Sequence, residues 1–287
     1  MTSNPTHVGV IGGGRMGAGV AQVFAGLGAS VTLAESADRD AARARIDEGL
    51  ARAHERDKLG GADPALIGDR IVVVDAVEAL PGGLDLVVEA VPEDAACKLA
   101  VLSAAEKMVD DTTVLASNTS SLSIGELGAA LNDPSRFIGM HFFNPVPASA
   151  LVEIVRAPAT AAGTVESVRD WVAALGKSAV VVNDAPGFAT SRLGVCLGLE
   201  AIRMLAEGVA SAADIDRAME LGYRHPMGPL RSTDLVGLDV RLAIADHLAD
   251  TLGDRFAAPE LLRDKVARGE LGRKTGRGFY DWEDDRR

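Results

Sequence analysis

The segment from His7 to Gly17, reading HVGVIGGGRMG, constrains the fold more than any other part of the chain. An apolar run of strand character, His7 to Ile11, leads into a G-x-G-x-x-G loop. An apolar helical pattern then continues to about Leu27. A second strand-like run, Ala29 to Glu35, ends in an acid. Glycine-rich turns alone are common, but this order of parts is that of a βαβ unit built for a dinucleotide, and each part has a physical reason. Gly12 permits the tight turn, Gly14 lets the backbone approach a pyrophosphate, and Gly17 lets the helix pack close to the strand. Met16, inside the loop, joins them as a cofactor-binding candidate. The helix N-terminus offers unpaired N–H groups to phosphates. Glu35 is placed to accept hydrogen bonds from the adenosine ribose hydroxyls. Its charge repels a 2′-phosphate, which favours NAD over NADP, although Arg39 and Arg43 stand near in sequence.

Further apolar runs at Ile71–Val74, Leu84–Glu89, Thr113–Ala116, Phe137–His141 and Ala179–Val182 alternate with helical patterns. Short β-rich runs separated by helices predict an α/β fold, a Rossmann-type doubly wound, mostly parallel sheet. After Asn183-Asp184-Ala185-Pro186-Gly187 the period becomes helical throughout. The expected division is therefore an NAD-binding domain over 1–184 and an all-α C-terminal domain over 185–287. The charged stretch from Ala37 to Leu59 reads either as an arm projecting beyond the sheet or as a solvated helix with intrahelical ion pairs.

With 287 residues, 47% of them hydrophobic, the chain is long enough for two cores without disulfide staples. Its net charge of −12, from 29 Lys+Arg and 41 Asp+Glu, argues against a nucleic-acid partner. Cys97 and Cys196 are far apart and form no CxxC, so neither a structural metal site nor a disulfide framework is expected. That usage suits a reducing cytoplasm. No signal peptide is read at the N-terminus, and no apolar window is long enough for a membrane span.

The segment from Ser117 to Glu153 is the most informative for chemistry. His141 stands at the carboxyl end of a strand candidate, the edge where open α/β sheets bind ligands. Glu153 lies a dozen residues on, past a Pro-containing turn, with enough chain between to bring its carboxylate back to the imidazole. A His–carboxylate pair fixes the tautomer and suits a base that takes a hydroxyl proton while hydride leaves the same carbon. Spacing alone also allows a buried structural histidine. Ser117-Asn118-Thr119-Ser120-Ser121 follows another strand and reads either as a helix N-cap cluster or as donors to a substrate carbonyl.

Together VGVIGGGRMGAGVA, VVEAVPED, SNTSSLSI, HFFNPVP, PGF and GRKTGRGFYDW, in this order, resemble the L-3-hydroxyacyl-CoA dehydrogenase family over residues 7–282. The likeness is to its short single-function bacterial members, the 3-hydroxybutyryl-CoA dehydrogenases. The resemblance implies an NAD-dependent oxidoreductase that interconverts L-3-hydroxyacyl-CoA and 3-oxoacyl-CoA, with the helical domain forming a homodimer contact. It makes His141 the general base and Glu153 its orienting partner. Ser120 and Asn144 match positions near substrate and nicotinamide, and Glu93 and Lys98 match cofactor-contacting positions. Lys274 resembles a tail lysine that returns to the cofactor domain. Arg52 and Arg56, a turn apart on the charged helix, correspond to its CoA-contacting arm. The family often carries an asparagine in PGFxxNR; Ser191 stands there instead. That departure, with the acids around the arm, leaves open the same chemistry on a carrier-bound acyl group or a free hydroxy or sugar acid.

Overall fold

The computed structural model describes residues 4–282 and divides into two compact units, Met1–Ala185 and Pro186–Arg287. The first is an eight-stranded sheet with strands β1 (His7–Ile11), β2 (Ser30–Ala34), β3 (Ile71–Val74), β4 (Leu86–Glu89), β5 (Val114–Ser117), β6 (Phe137–Phe142), β7 (Leu151–Arg156) and β8 (Ser178–Asn183). Their order is β3-β2-β1-β4-β5-β6-β7-β8. Neighbours are parallel except β6 and β7, which pair antiparallel. The doubly wound, mostly parallel α/β architecture read from the sequence is thus observed.

The helices of this unit are α1 (Arg15–Leu27), α2 (Arg39–Glu55), α3 (Pro64–Gly68), α4 (Ala95–Met108), α5 (Ile124–Gly128) and α6 (Ala162–Ala174). Parallel strands covered on both faces must be apolar on both faces, and all four residues of β4 (LVVE) are buried. Phe24 and Val20 of α1 and Val168 and Val172 of α6 complete the core against Val10, Val88, Ile138 and Ile154.

Two expectations are corrected here. Residues 151–156 form a strand the sequence reading left out, giving eight strands rather than seven. Glu153 sits in that run with no apolar alternation around it, which hid its strand character. The charged helix α2 also does not stand free. Asp38 caps it by accepting from the Ala41 amide at 2.9 Å, and Ala42, Ile46 and Leu50 form a stripe that is fully buried. The Gln22 amide of α1 donates to the Ile46 carbonyl at 3.3 Å. The outer face carries the expected intrahelical pairs, Arg43 with Asp47 and Arg52 with Glu48.

The second unit is helical: α7 (Thr190–Ala206), α8 (Ala212–Gly222), α9 (Pro229–Val236), α10 (Leu238–Leu252) and α11 (Glu260–Ala267). Val195, Leu199, Ile202, Leu230, Leu248 and Leu262 form its core. Two buried aspartates hold the C-terminal GRGFYDW segment onto this core. Asp234 accepts from the Phe279 and Tyr280 amides at 2.9 Å and from the Trp282 indole at 2.8 Å. Asp216 accepts from the Leu230 and Arg231 amides and from the Tyr280 hydroxyl at 2.7 Å. Burial and that carboxylate push the Tyr280 phenol well above its ordinary range. Among the described residues no helix is long and apolar enough to cross a membrane, and no group of three potential metal ligands gathers.

Candidate active site

The strand order reverses between β1 and β4, so a crevice opens at their carboxyl ends. The glycine loop lines it. Gly12 has φ +99°, and a Cβ there would lie 2.8 Å from the Ala90 carbonyl oxygen. A Cβ on Gly17 would collide with the Gly12 carbonyl oxygen. Both positions accept only glycine. Gly14 differs: nothing lies within 4 Å of where its Cβ would be, and it starts α1 without a side-chain cap. The loop is therefore packed tight where it meets the sheet and open at the helix start, where first-turn N–H groups need acceptors. Met16 is half-buried and packs on the core. Glu35 is held by the backbone, accepting from Gly13 N and Ala37 N, both at 2.7 Å. Each carboxylate oxygen has lone-pair capacity beyond those bonds. Arg43 is engaged by the Gly68 and Ile71 carbonyls and by Asp47. The residues present fit a dinucleotide without a 2′-phosphate.

On the other side of the crevice the sequence reading missed a buried hub. Glu89, the last residue of β4, is completely buried; its carboxylate receives Lys98 Nζ at 2.7 Å and Ser117 Oγ at 2.5 Å. Lys98 is 1% exposed and lies 3.3 Å from Glu93 as well. Glu93 in turn accepts from Thr119 Oγ1 at 2.6 Å, and from both the amides and the hydroxyls of Ser120 and Ser121. Partial burial opposes ionisation of Glu93, but these donors and Lys98 outweigh it and hold the carboxyl below its ordinary range. The chain Glu89–Lys98–Glu93 thereby fixes the loop that carries Ser120. An acid ending an apolar strand, with a lysine nine residues on, was the available signal.

His141 is the penultimate residue of β6, at the carboxyl end of the strand. It stands directly opposite Glu153 in the β6/β7 register. Opposed residues on antiparallel strands place their side chains on one face within reach, and His141 Nδ1 lies 2.8 Å from Glu153 Oε2. Glu153 is 0% exposed and His141 is 7% exposed, with the Phe143 ring tilted against the imidazole at 4.4 Å between centroids. Asn118 Oδ1 accepts from the Phe142 amide at 2.8 Å, tying the SNTSS loop to the strand end beside His141. Asn144 is exposed in the following turn, and Lys177 anchors that turn by donating to the Val146 and Ser149 carbonyls.

His141 with Glu153, and Ser120 with Glu93 and Lys98, are thus brought together on one sheet edge. Of four other candidates, Arg52 and Arg56 belong to α2 and Ser191 and Lys274 to the helical unit. Arg52 is paired to Glu48 at 3.3 Å on the exposed face of α2. Arg56 lies at the helix C-cap, one residue past the helix, rather than on its face. Ser191 is in the first turn of α7, and Lys274 is ion-paired to Asp239 at 2.6 Å, within its own helical unit.

The chain is similar to known proteins over nearly its whole length. Residues 7–185 match the model of the 3-hydroxyacyl-CoA dehydrogenase NAD binding domain, and residues 187–282 match that of its C-terminal domain. A probable 3-hydroxybutyryl-CoA dehydrogenase of Bacillus subtilis is 42% identical over 279 residues, covering 96% of each chain. A 3-hydroxybutyryl-CoA dehydrogenase of Clostridioides difficile is 40% identical, covering 95% of this chain and 98% of that protein. The crystal structure of (S)-3-hydroxybutyryl-CoA dehydrogenase from Ralstonia eutropha superposes with a TM-score of 0.91 at 38% identity, covering 98% of this chain and all of that one.

Proposed function

The chain belongs to the 3-hydroxyacyl-CoA dehydrogenase family, and from that premise we propose that it interconverts a short-chain L-3-hydroxyacyl-CoA, 3-hydroxybutyryl-CoA first, with the 3-oxoacyl-CoA. The reaction is NAD-dependent oxidoreduction. The observation that carries the residue assignment is the buried His141–Glu153 pair at the ligand-binding edge of the sheet.

With Nδ1 donating to Glu153, His141 presents Nε2 as the basic nitrogen. In the oxidation, Nε2 takes the proton of the 3-hydroxyl while the C3 hydride leaves, and the C–O bond becomes the carbonyl. The Glu153 carboxylate stabilises the imidazolium so formed. Ser120 and Asn144 orient the reacting oxygen. In the reverse direction the imidazolium returns the proton. When bound, NAD supplies the hydride acceptor. Gly12, Gly14, Met16, Gly17 and Glu35 would hold its adenosine and pyrophosphate, with Glu93, Ser120 and Asn144 toward the nicotinamide. Lys98 acts on that set by fixing Glu93, and Lys274 completes it in the family's pattern.

In this reading residues 1–184 bind the cofactor and 185–287 receive substrate and form a homodimer. The exposed apolar residues Leu193, Leu197, Leu221, Val236 and Val240 of the helical unit supply a face for that contact. Arg52 and Arg56 meet the CoA phosphates, Ser191 contacts substrate, and the enzyme works in the cytoplasm. The test is NADH consumption with acetoacetyl-CoA, beside NADPH, an acyl-carrier thioester and free acetoacetate. Fast turnover with NADH and the CoA ester alone is expected. Turnover confined to the carrier-bound or free acid would overturn the CoA assignment. Light scattering checks the dimer.

A further inference from the structure

The strand order decides which half of a dinucleotide meets which residues. The pyrophosphate belongs at the start of α1, and Glu35, just past β2, stands on the adenosine side. The nicotinamide half therefore runs the other way, along the carboxyl ends of β4, β5 and β6.

Charge is unevenly spread along that edge. The connections after these strands, residues 90–98, 118–123 and 143–149, contain one cation, Lys98, against Glu93 and Asp94. Lys98 is shared: its Nζ lies 2.7 Å from Glu89 and 3.3 Å from Glu93. One ammonium thus serves two carboxylates, and the set carries a net charge of −1. Glu89 is fully buried and also accepts from the Val91 amide and Ser117 Oγ. Glu93 is the one a ligand can reach, with its side chain 36% exposed. Its partners in Thr119, Ser120 and Ser121 are neutral donors, which keep it ionised without cancelling its charge. Lys177 reaches the β6/β7 turn, but its ammonium is held by the Val146 and Ser149 carbonyls.

The reaction moves one positive charge. The oxidised nicotinamide ring is a cation and the reduced ring is neutral. Hydride transfer from substrate C3 to ring C4 carries two electrons and one proton, and cancels the ring charge. The hydroxyl proton goes to His141, the C–O single bond becomes a carbonyl, and the imidazolium so formed lies beside Glu153. The positive charge starts on the ring and ends on the imidazole, and each place has its own carboxylate.

We propose that Glu93, left with excess negative charge because Lys98 is shared with Glu89, is a specificity-determining residue for the oxidation state of the cofactor: it raises affinity for the nicotinamide cation relative to the neutral reduced ring. This rests on the dehydrogenase reading and on Glu93 standing toward the nicotinamide in it.

The experiment measures dissociation constants at neutral pH for the full chain, NADH by its fluorescence and NAD⁺ by displacement of NADH. The variants are Glu93→Gln, Glu93→Asp and Glu89→Gln. Glu93→Gln keeps an acceptor for the loop donors and removes the charge. It is expected to weaken NAD⁺ about tenfold and to change NADH less than about twofold, the size of one charge–charge interaction at a partly exposed site. Glu93→Asp keeps the charge, so the ratio of the two constants should stay within about twofold of wild type even where both affinities fall. Glu89→Gln gives Lys98 wholly to Glu93 and should move the ratio in the same direction as Glu93→Gln, by about threefold. A residue that only shapes the loop would move both cofactors together, so equal losses in Glu93→Gln overturn the proposal, as does an unmoved ratio. Should Glu93→Gln fail to fold in a thermal melt, an unmoved ratio in Glu89→Gln overturns it instead. Absence of thioester turnover in the wild type overturns the dehydrogenase reading, whereas turnover with an unmoved ratio overturns this inference alone.

Discussion

The two units treat buried charge differently. In the α/β unit Lys98 faces Glu89 and Glu93, Arg136 faces Glu106, and His141 faces Glu153. In the helical unit the buried acids Asp216 and Asp234 are satisfied by amides, a hydroxyl and an indole, while Arg241 stands without an acid. The first pattern belongs to a site whose polar groups are fixed before any ligand arrives. The second relies on amides, a hydroxyl and an indole rather than on opposite charges, and among the described residues leaves Arg241 Nε without a hydrogen-bond partner.

A set of substitutions and one titration sharpen or break that contrast. The largest effect is expected at the His141–Glu153 pair, proposed above to carry the proton transfer. His141→Ala should bind NADH normally and lose about 10²–10⁴ in kcat, the usual worth of a positioned general base; a loss under about tenfold removes His141 from that role. Lys98→Met should cost about 3–5 kcal/mol in urea unfolding, because it strands Glu89 in the core. Adding Glu89→Gln to that variant should recover much of the loss. An additive double variant would show that the pair does not act as a unit. Asp234→Ala should cost about 1.5–3 kcal/mol, since it releases three donors that tie the C-terminal segment down.

The titration concerns Glu93. Its carboxyl is held below the ordinary value of 4.5 in the folded chain. Its contribution is therefore fully present above that value and is lost as pH falls through the lower, folded-state value. The stability gap between wild type and Glu93→Gln should stay constant near neutrality and close in acid. A gap that widens in acid would contradict the sign. The smallest effect is expected at Arg52→Ala. An exposed i,i+4 pair with Glu48 is worth about 0.3–0.5 kcal/mol, so any larger shift would mean that α2 depends on its outer face.

Much of the α/β unit was legible because strand ends are where sequence and position coincide. Gly12, Gly17, Glu35, Ser120 and His141 all follow or close apolar runs, and parallel strands bring their carboxyl ends to one edge. What escaped was the buried polar framework behind that edge. Glu89 looks like the end of a strand, and its importance appears only when Lys98 of α4 turns back over it. Strand β7 escaped because both its faces are buried, so Glu153 interrupts an apolar run instead of marking a solvent face. In the helical unit, Arg241 reads as one more charged residue on an amphipathic helix. Its isolation depends on Gly194 of another helix, a coincidence of three-dimensional packing that no local pattern encodes.

The opposition of His141 and Glu153 across two antiparallel strands has a consequence for how such a chain tolerates insertion and deletion. The eight residues between Phe142 and Leu151 do not set the distance between imidazole and carboxylate; the β6/β7 ladder does. Beyond Phe143 and Asn144, that connection can grow, shrink or change composition without altering this distance, provided the pairing re-forms in place. A single residue gained or lost within β7 itself is another matter, because side chains alternate faces and the carboxylate would turn to the opposite side of the sheet. Heritable length variation is thus permitted in the hairpin and forbidden in the strand that follows it.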